Sequence, residues 1–502
     1  MIAAVHAEWT KFRTVRGWVI GLLIAAGVTM ALGLGPSQSG SCNVSSCQPT
    51  LGPGGVAVTD SFYFVRRSLD GDGTITARVA GLTGRLPAFA GTQRPGNATR
   101  AGLMPWAKAG IIIKASTTEG SAYAAMMVTG ANGVRMQYDY TGDIAGLPGR
   151  VSAASPRWLR LTRHGDTVTG YDSADGTRWT RVGTVRLPAL PATAVQGGLF
   201  ATSPQFASSM YGTSGADTAP TQDTGVLDHV GLAGHWAAGS WTGDDIGAAG
   251  GPAPGPSSGF RQAAGTFTVS GTGDIAPMVT GATGNGVTIA QTLIGTFAGL
   301  VGIVVVAAMF MTAEYRRGLI RTTLAAAPHR GRVLAAKAAV IGAVTFLTGL
   351  VSSAVVVVFG QRTLRASGVY LFPVTAFTEV RVIAGTAAVL ALAAMLALAL
   401  GTVLRRSAGA VTAAIVVIVL PYMFCVAAPV LPLGVQDWVL RLTPAAAFAV
   451  QATLPQYHQV TDIYAAQAGY FPLAPWAGLA VLAAWTAAAL ALALFLLRRR
   501  DA

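Results

Sequence analysis

Gly17-Trp18-Val19-Ile20-Gly21-Leu22-Leu23-Ile24-Ala25-Ala26-Gly27-Val28-Thr29-Met30-Ala31-Leu32-Gly33-Leu34 is the run on which the fold of this chain turns. It carries no charge, and an α-helix of about 20 apolar residues crosses a hydrocarbon core about 30 Å thick. Five comparable runs crowd between Ile289 and Leu497, so the predicted spans are 17–34, 289–312, 338–359, 382–403, 409–430 and 475–497. Pro421 falls inside the fifth, where a kink is tolerated if neighbours satisfy the freed carbonyl. Between the first and second spans lies a polar, Gly-rich insert of about 250 residues. The expected fold class is an α-helical polytopic membrane protein of six transmembrane helices, with an extracytoplasmic all-β sandwich, jelly-roll-like, inserted between helices 1 and 2. The division is 1–34 for an amphipathic helix and first span, 35–55 for a linker, 56–275 for the sandwich and 276–502 for helices 2–6, with a cytoplasmic loop at 313–337.

Composition supports this reading. Of 502 residues, 52% are hydrophobic and 11% charged, too apolar for an ordinary soluble protein. The net charge of +14 suggests nucleic acid until it is divided. The insert from Gly35 to Asn285 holds 17 basic and 15 acidic residues, so the remainder carries +12. Most of those cations cluster at Lys11, Arg13 and Arg16, from Arg316 to Lys337, at Arg405 and Arg406, and from Arg498 to Arg500. That distribution obeys the positive-inside rule with both termini cytoplasmic and residues 35–285 outside, in a multi-pass protein of the cell membrane. The basicity reports topology, and no nucleic-acid partner is expected.

The N-terminal run has a polar lead containing Glu8 and no small-x-small cleavage site close behind it, which favours a retained signal anchor. Ile2, Val5, Trp9 and Phe12 recur at helical spacing, as in an amphipathic helix on the inner membrane surface. A plain basic flank is the alternative. Glu314-Tyr315-Arg316-Arg317-Gly318-Leu319-Ile320-Arg321-Thr322-Thr323-Leu324 reads as a short amphipathic helix stopped by Pro328, or again as a basic flank. Cys42 and Cys47, just outside the first span, are a candidate disulfide, whereas Cys425 suits packing within a span. The loop Leu431–Ala474 is long and apolar enough to dip back into the bilayer, and Trp438 and Trp476 suit interfacial positions.

Within the insert, Thr74–Val79, Gly110–Lys114, Ala122–Val128, Gly133–Tyr138, Trp158–Arg163, Thr167–Asp172, Trp179–Val182, Gly197–Ala201 and Gly265–Val269 are β-prone. Asp70-Gly71-Asp72-Gly73, Asn132-Gly133, His164-Gly165-Asp166 and Asp175-Gly176 supply turn signals, and Gly247–Gly259 reads as a linker.

His6-Ala7-Glu8-Trp9-Thr10-Lys11-Phe12-Arg13 before a span, and Glu314 to Arg321 after the second, make the membrane part resemble actinobacterial type-2 ABC exporter permeases. The resemblance covers roughly the first 34 and last 215 residues. It implies docking of a separate ATP-binding subunit on Glu8, Lys11, Arg13, Glu314, Tyr315, Arg316, Arg317 and Arg321. A second permease copy, as homodimer or heterodimer, is the other implied partner besides the lipid bilayer. The insert departs from that family's short first outer loop. Its Ala109–Lys114, Trp158–Tyr171 and Ser173–Trp179 segments resemble the concanavalin A-like lectin/glucanase sandwich.

Chemistry narrows the function. The chain has four lysines, Lys11, Lys108, Lys114 and Lys337, and none follows a Gly-rich phosphate loop, so no P-loop is present. No cofactor is expected in this chain, and ATP and magnesium belong to the partner subunit. Glu119 is the insert's one glutamate, which argues against a two-carboxylate glycosidase. Asp70-Gly71-Asp72-Gly73 lacks the ligands that complete a calcium loop, and no metal site is expected. Trp106, Trp158 and Trp179 are candidate glycan-contacting aromatics, with a core role as the alternative. Glu379 and Arg381 are placed to pair, while His458 and Asp462 alone make no metal site. The leading reading is the permease subunit of an ATP-driven exporter, without enzymatic activity of its own. The alternative is a non-transporting sensor or a glycan-binding cell-wall protein.

Overall fold

The computed structural model describes residues 2–39, 48–88, 98–209, 216–247, 257–280, 286–316, 318, 329–427 and 430–500. Cys42, Cys47, Arg317 and Arg321 lie outside them, as does most of the Gly247–Gly259 stretch. Six helices among the described residues are long and apolar enough to cross a membrane: Arg16–Gly35, Gly295–Arg316, Arg330–Ala366, Ala376–Leu404, Ser407–Val426 and Pro475–Arg499, called spans 1 to 6. Span 3 begins at Arg330, earlier than its apolar run, and so takes Lys337 into the helix.

Close approach of small residues seats span 1 on span 2. A Cβ added at Gly299 would lie 1.9 Å from the Thr29 hydroxyl, and one at Gly295 would lie 2.2 Å from the Thr29 carbonyl. Glycines four apart are the usual device for bringing helix backbones together in lipid, where no hydrophobic effect drives them. Span 5 departs from regular α-helix around the proline. Pro421 has no N–H to donate, and the helix widens into π-turns at Ile415–Val419 and Met423–Ala427 on either side of it. In the loop that follows, the 3₁₀ segment Pro444–Gln451 is buried throughout. It wedges between spans 4 and 6, with Val450 against Gly385 and the Ala446 carbonyl against Gly478. Trp438 and Trp476 are both exposed. Glu379 and Arg381 go to different partners: Glu379 accepts from Gln361, and Arg381 donates to the Ala452 carbonyl.

Residues 58–277 form a large antiparallel β-sandwich, nearly closed into a barrel, between spans 1 and 2. Three expected turns hold, with Gly133, Gly165 and Gly176 all at positive φ between paired strands. The fourth does not. Asp70-Gly71-Asp72-Gly73 lies inside one strand, Phe62–Pro87, where Gly71 at φ +72° bends the chain without reversing it. The first part of that strand pairs with Ala194–Thr202 and Thr242–Ile246, and the later part with Arg157–His164 and Gln222–Trp236. One long bent strand therefore serves two regions of the curled sheet. The Asp72 carboxylate accepts from the Gly165 amide and faces His164. No cluster of three metal-ligating side chains occurs among the described residues.

Lys108–Lys114 is buried on both faces, which explains its continuous apolar run. Ile111 and Ile113 point into the main core, while Ile112 meets Phe62, Phe64, Tyr123 and Phe200 on the other side. That second layer is crossed by Val58–Asp60 and Ile275–Pro277, the paired segments by which the chain enters and leaves the sandwich. Each carries or adjoins a carboxylate that meets a buried lysine, Asp60 with Lys114 at 2.7 Å and Asp274 with Lys108 at 2.6 Å. Burial outweighs the Asp60 carboxylate and pushes the Lys114 ammonium below its ordinary pKa.

Candidate functional site

Alternation of the six spans gathers the start of span 1 and the cytoplasm-facing ends expected for spans 2 to 6 at one end of the bundle, the end at which the basic residues cluster. Here the N-terminal helix Ile2–Thr14 lies against spans 2 and 3. Of its apolar stripe, Phe12 is buried and Val5 half-buried, while Ile2 and Trp9 are exposed. The Phe12 ring meets Phe310 edge-on at 5.9 Å, with Trp18 against the same ring at 6.1 Å.

The polar residues of that helix do something less expected. Lys337, fully buried one helical turn or more inside span 3, donates to Glu8 Oε2 and to Glu314 Oε1, both at 2.6 Å. Lys11 closes the arrangement, reaching Glu8 Oε1 and Glu314 Oε1 at 3.2 Å each. The Lys337 ammonium also lies 4.9 Å from the Phe310 ring centroid, a cation–π contact in a desolvated setting. Two lysines and two glutamates from three chain segments thus balance one another. Burial works to lower the Lys11 pKa, but the Glu314 and Glu8 carboxylates outweigh it and raise it.

Glu8 and Glu314 accordingly face inward, 3% and 8% exposed, and brace the N-terminal helix instead of presenting charge to the outside. Arg13 and Arg316 are exposed, as are Arg16, Arg332 and Arg406 at the same end. Tyr315 is half-buried with its ring under Arg405 at 5.4 Å. With the carboxylates sequestered, the described surface of this end is cationic. Lys337 is the member that sequence reading missed. Its signal was its rarity: among 35 basic residues only four are lysine, and all four enter ion pairs. A compact ammonium can serve two carboxylates in a tight pocket where a planar guanidinium cannot turn.

The family model described as "ABC-2 family transporter protein" matches residues 6–502, a range that takes in all six spans and the ion-paired quartet. The chain belongs to the ABC-2 transporter family. No curated protein matches it. Several solved structures resemble part of this chain at low identity. A GH43 protein from Bacillus licheniformis is 14% identical over 26% of this chain, spans 24% of its own length and gives a TM-score of 0.18. Scytalido-glutamic peptidase is 10% identical, covering 42% of this chain and 98% of its own, with a TM-score of 0.24. Sheep galectin-11 is 9% identical, covering 31% and 96%, with a TM-score of 0.15.

Two other features of this ABC-2 protein bear on function. A cavity of about 220 Å³ opens between the start of span 2, the π-widened part of span 5 and the loop beyond it, lined in part by Gln291, Tyr422, Gln451 and Phe471. Each of the expected glycan-contacting tryptophans, by contrast, lies near an arginine. Arg160 lies 3.8 Å from the Trp179 ring centroid, Arg78 lies 5.9 Å from that of Trp158, and Trp106 is 7% exposed beneath Arg135 and His458.

The Trp106 contact belongs to a seam between the sandwich and the loop preceding span 6. Asp143 accepts from Arg135, from Gln137 at 3.0 Å and from His458 Nε2 at 2.7 Å, while Gln459 donates to the Thr141 carbonyl at 3.2 Å. Burial would raise the Asp143 pKa, but hydrogen bonds from Arg135, Gln137 and His458 bring it below the ordinary value.

Proposed function

We propose that this ABC-2 family chain is the permease subunit of an ATP-driven exporter, coupled to a separate ATP-binding subunit at its basic end. The observation that carries the reading is the Glu8–Lys337–Glu314 brace. It joins the N-terminal helix, the end of span 2 and the start of span 3 into one unit, so a push on the surface helix reaches two spans directly. A buried, hydrogen-bonded charge network resists being pulled apart, because each separated charge would stand uncompensated in a low-dielectric site. Such a rigid joint suits transmission of a nucleotide-driven closure into tilting of the spans.

In this reading both termini and the 313–337 loop are cytoplasmic, residues 35–285 are outside, and Arg13, Arg316, Arg317 and Arg321 meet the ATPase. Glu8, Lys11 and Glu314 set the shape of that surface from beneath. ATP and magnesium bind in the partner. A second permease copy completes the path, and the cavity by Tyr422 and Gln451 lies where substrate would leave. Kinship of the membrane part with the actinobacterial branch rests on the His6–Arg13 and Glu314–Arg321 segments. Kinship of the insert with concanavalin A-like sandwiches rests on its short antiparallel strands and Gly turns.

The test is purification of the tagged chain from its own membranes, followed by mass spectrometry for a co-purifying protein with Walker motifs. About one such subunit per permease chain is expected. A well-folded permease that brings none would overturn the reading and favour a sensor.

A further inference from the structure

Val58–Asp60, by which the chain enters the sandwich, ends on a carboxylate that meets the last residue of the interior strand Lys108–Lys114. Both side chains of this pair are fully buried. Lys114 Nζ lies 2.7 Å from Asp60 Oδ2, 3.0 Å from the Ser121 carbonyl and 3.1 Å from the Tyr140 hydroxyl. The rings of Tyr123 and Tyr140 flank it, with centroids at 5.9 and 5.7 Å. The two carboxylate oxygens have unequal surroundings. Oδ2 accepts from Lys114, and from the Tyr140 hydroxyl and the Gly120 amide at 2.8 Å each, whereas Oδ1 is buried without a hydrogen-bond partner.

These are the parts an acyl transfer needs. A desolvated lysine gives up its proton readily and becomes a nucleophile, and burial already pushes the Lys114 ammonium below its ordinary pKa. Donors aimed at one oxygen of a carboxyl stabilise the negative charge that gathers there when its carbon is attacked. Here those donors are the Gly120 N–H and the Tyr140 O–H. Burial and the Asp60 charge hold the Tyr140 pKa above its ordinary value, so the hydroxyl keeps its proton. Touching both Nζ and Oδ2, it can pass a proton from one to the other. Oδ1, which nothing holds, is the oxygen free to depart. Condensation also removes two buried charges whose desolvation opposes the folded state.

We propose that Lys114 and Asp60 condense, with no other enzyme, into an intramolecular amide between Nζ and Cγ that staples the entry strand to the interior of the sandwich. The Nζ–Cγ bond forms and the Cγ–Oδ1 bond breaks. Of the three ammonium protons, one stays on the amide nitrogen and two leave with Oδ1 as water, so no oxidant or co-reactant is consumed. In the product Oδ2 keeps its two donors, and the amide N–H retains the Ser121 carbonyl. The Ala57 amide, just before the entry strand, donates to the Tyr370 hydroxyl in the loop between spans 3 and 4 at 3.1 Å. The staple therefore lies where the sandwich is rooted on the membrane part. Lys108 and Asp274 provide an internal contrast. The Asp274 side chain is 12% exposed, and no hydroxyl bridges that pair among the described residues, so it is expected to remain ionic. The crosslink is independent of transport, and its failure would leave the permease reading untouched.

The experiment is mass spectrometry of the full chain, extracted from its membranes, denatured, weighed intact and then digested. The natural protein should be lighter than its sequence mass by one water, and the digest should hold one branched peptide joining Lys114 to Asp60. Lys114→Arg and Asp60→Ala should each restore the full mass. Tyr140→Phe should accumulate the crosslink at least tenfold more slowly after a pulse of synthesis, and full-speed reaction in Y140F would overturn the proton relay. A natural chain at its full sequence mass would overturn the proposal. So would a lost water that persists in K114R, or one that maps to a linear peptide, as a succinimide at Asp70-Gly71 would. Because the natural chain alone gives the deciding mass and branch, a variant that misfolds leaves the test decisive.

Discussion

Lys337 and Glu8 stand 329 residues apart in sequence, yet their side chains meet at 2.6 Å, and Glu314 completes the contact from a third segment. The pocket is nearly dry, so the three charges hold one another in place. Removing the cation alone should be severe. Lys337→Met leaves two carboxylates with only Lys11, and the expected loss is about 3–5 kcal/mol, read as a large drop in melting temperature of the detergent-solubilised protein. The triple change Glu8→Gln, Lys337→Met, Glu314→Gln should recover much of that stability, because a neutral pocket needs no counter-charge. It should still impair stimulation of the partner's ATPase by permease. Full stimulation by the triple variant would show that the brace serves stability alone.

Exposed cations at the same end carry the second prediction. Arg13→Glu with Arg316→Glu should weaken retention of the ATP-binding subunit about tenfold or more without lowering the melting temperature, since both side chains are exposed. Raising salt from about 0.05 to 0.5 M should weaken the natural complex in the same direction, because screening shortens the reach of surface charges. A complex indifferent to both changes would have to be held by other contacts.

Asp223 gives a pH-dependent prediction. It is fully buried, and burial raises its pKa well above the ordinary value, outweighing backbone hydrogen bonds from its own amide, Lys108 and Thr202. A carboxyl raised on folding binds its proton more tightly in the native state, so its contribution is greatest below the unfolded pKa near 4 and is lost as pH rises through the folded pKa. Asp223→Asn should therefore match the natural protein at about pH 3–4 and exceed it by roughly 1–3 kcal/mol at high pH. Thermal unfolding of the two proteins across pH measures this, and an unchanging difference between them would contradict the assignment.

The seam at Asp143 behaves in the opposite sense. Its pKa lies below the ordinary value in the folded protein, so the stability it contributes is present above about pH 4 and is lost as pH falls through the lowered folded pKa. Asp143→Asn should loosen the grip on His458 and speed hydrogen exchange across residues 455–460 several-fold at neutral pH, leaving the core strands Lys108–Lys114 and Tyr123–Thr129 protected. Unchanged exchange in that loop would mean that Gln459 holds the seam without help from Asp143.

How much of this was legible beforehand follows from the range of the interactions. The spans and the break in regular helix around Pro421 are local properties, readable from runs of apolar residues and one imino acid. Hairpins closed by Asn132-Gly133, His164-Gly165 and Asp175-Gly176 were equally visible. Phe62–Pro87 was not, because Asp70-Gly71-Asp72-Gly73 has turn chemistry and only pairing with distant strands keeps it extended. Gln222–Trp236 was missed for a similar reason: its glycines, aspartates and histidines are poor strand formers, and the tertiary environment overrides them. At the basic end, Glu8, Lys11 and Glu314 could be chosen from the sequence, but not the inward orientation of the two glutamates, which depends on a lysine in another span. Trp158 and Trp179 drew attention as aromatics, and only the fold reveals the arginines lying on them.

Site-specific photocrosslinking at positions 13 and 316, carried out in native membranes, tests the central claim most directly. The account predicts an adduct at each position with a nucleotide-binding subunit, its yield changing when ATP hydrolysis is trapped. Adducts with lipid alone, or with no Walker-motif protein at either position, would contradict the coupling of this chain to an ATPase through its braced basic end.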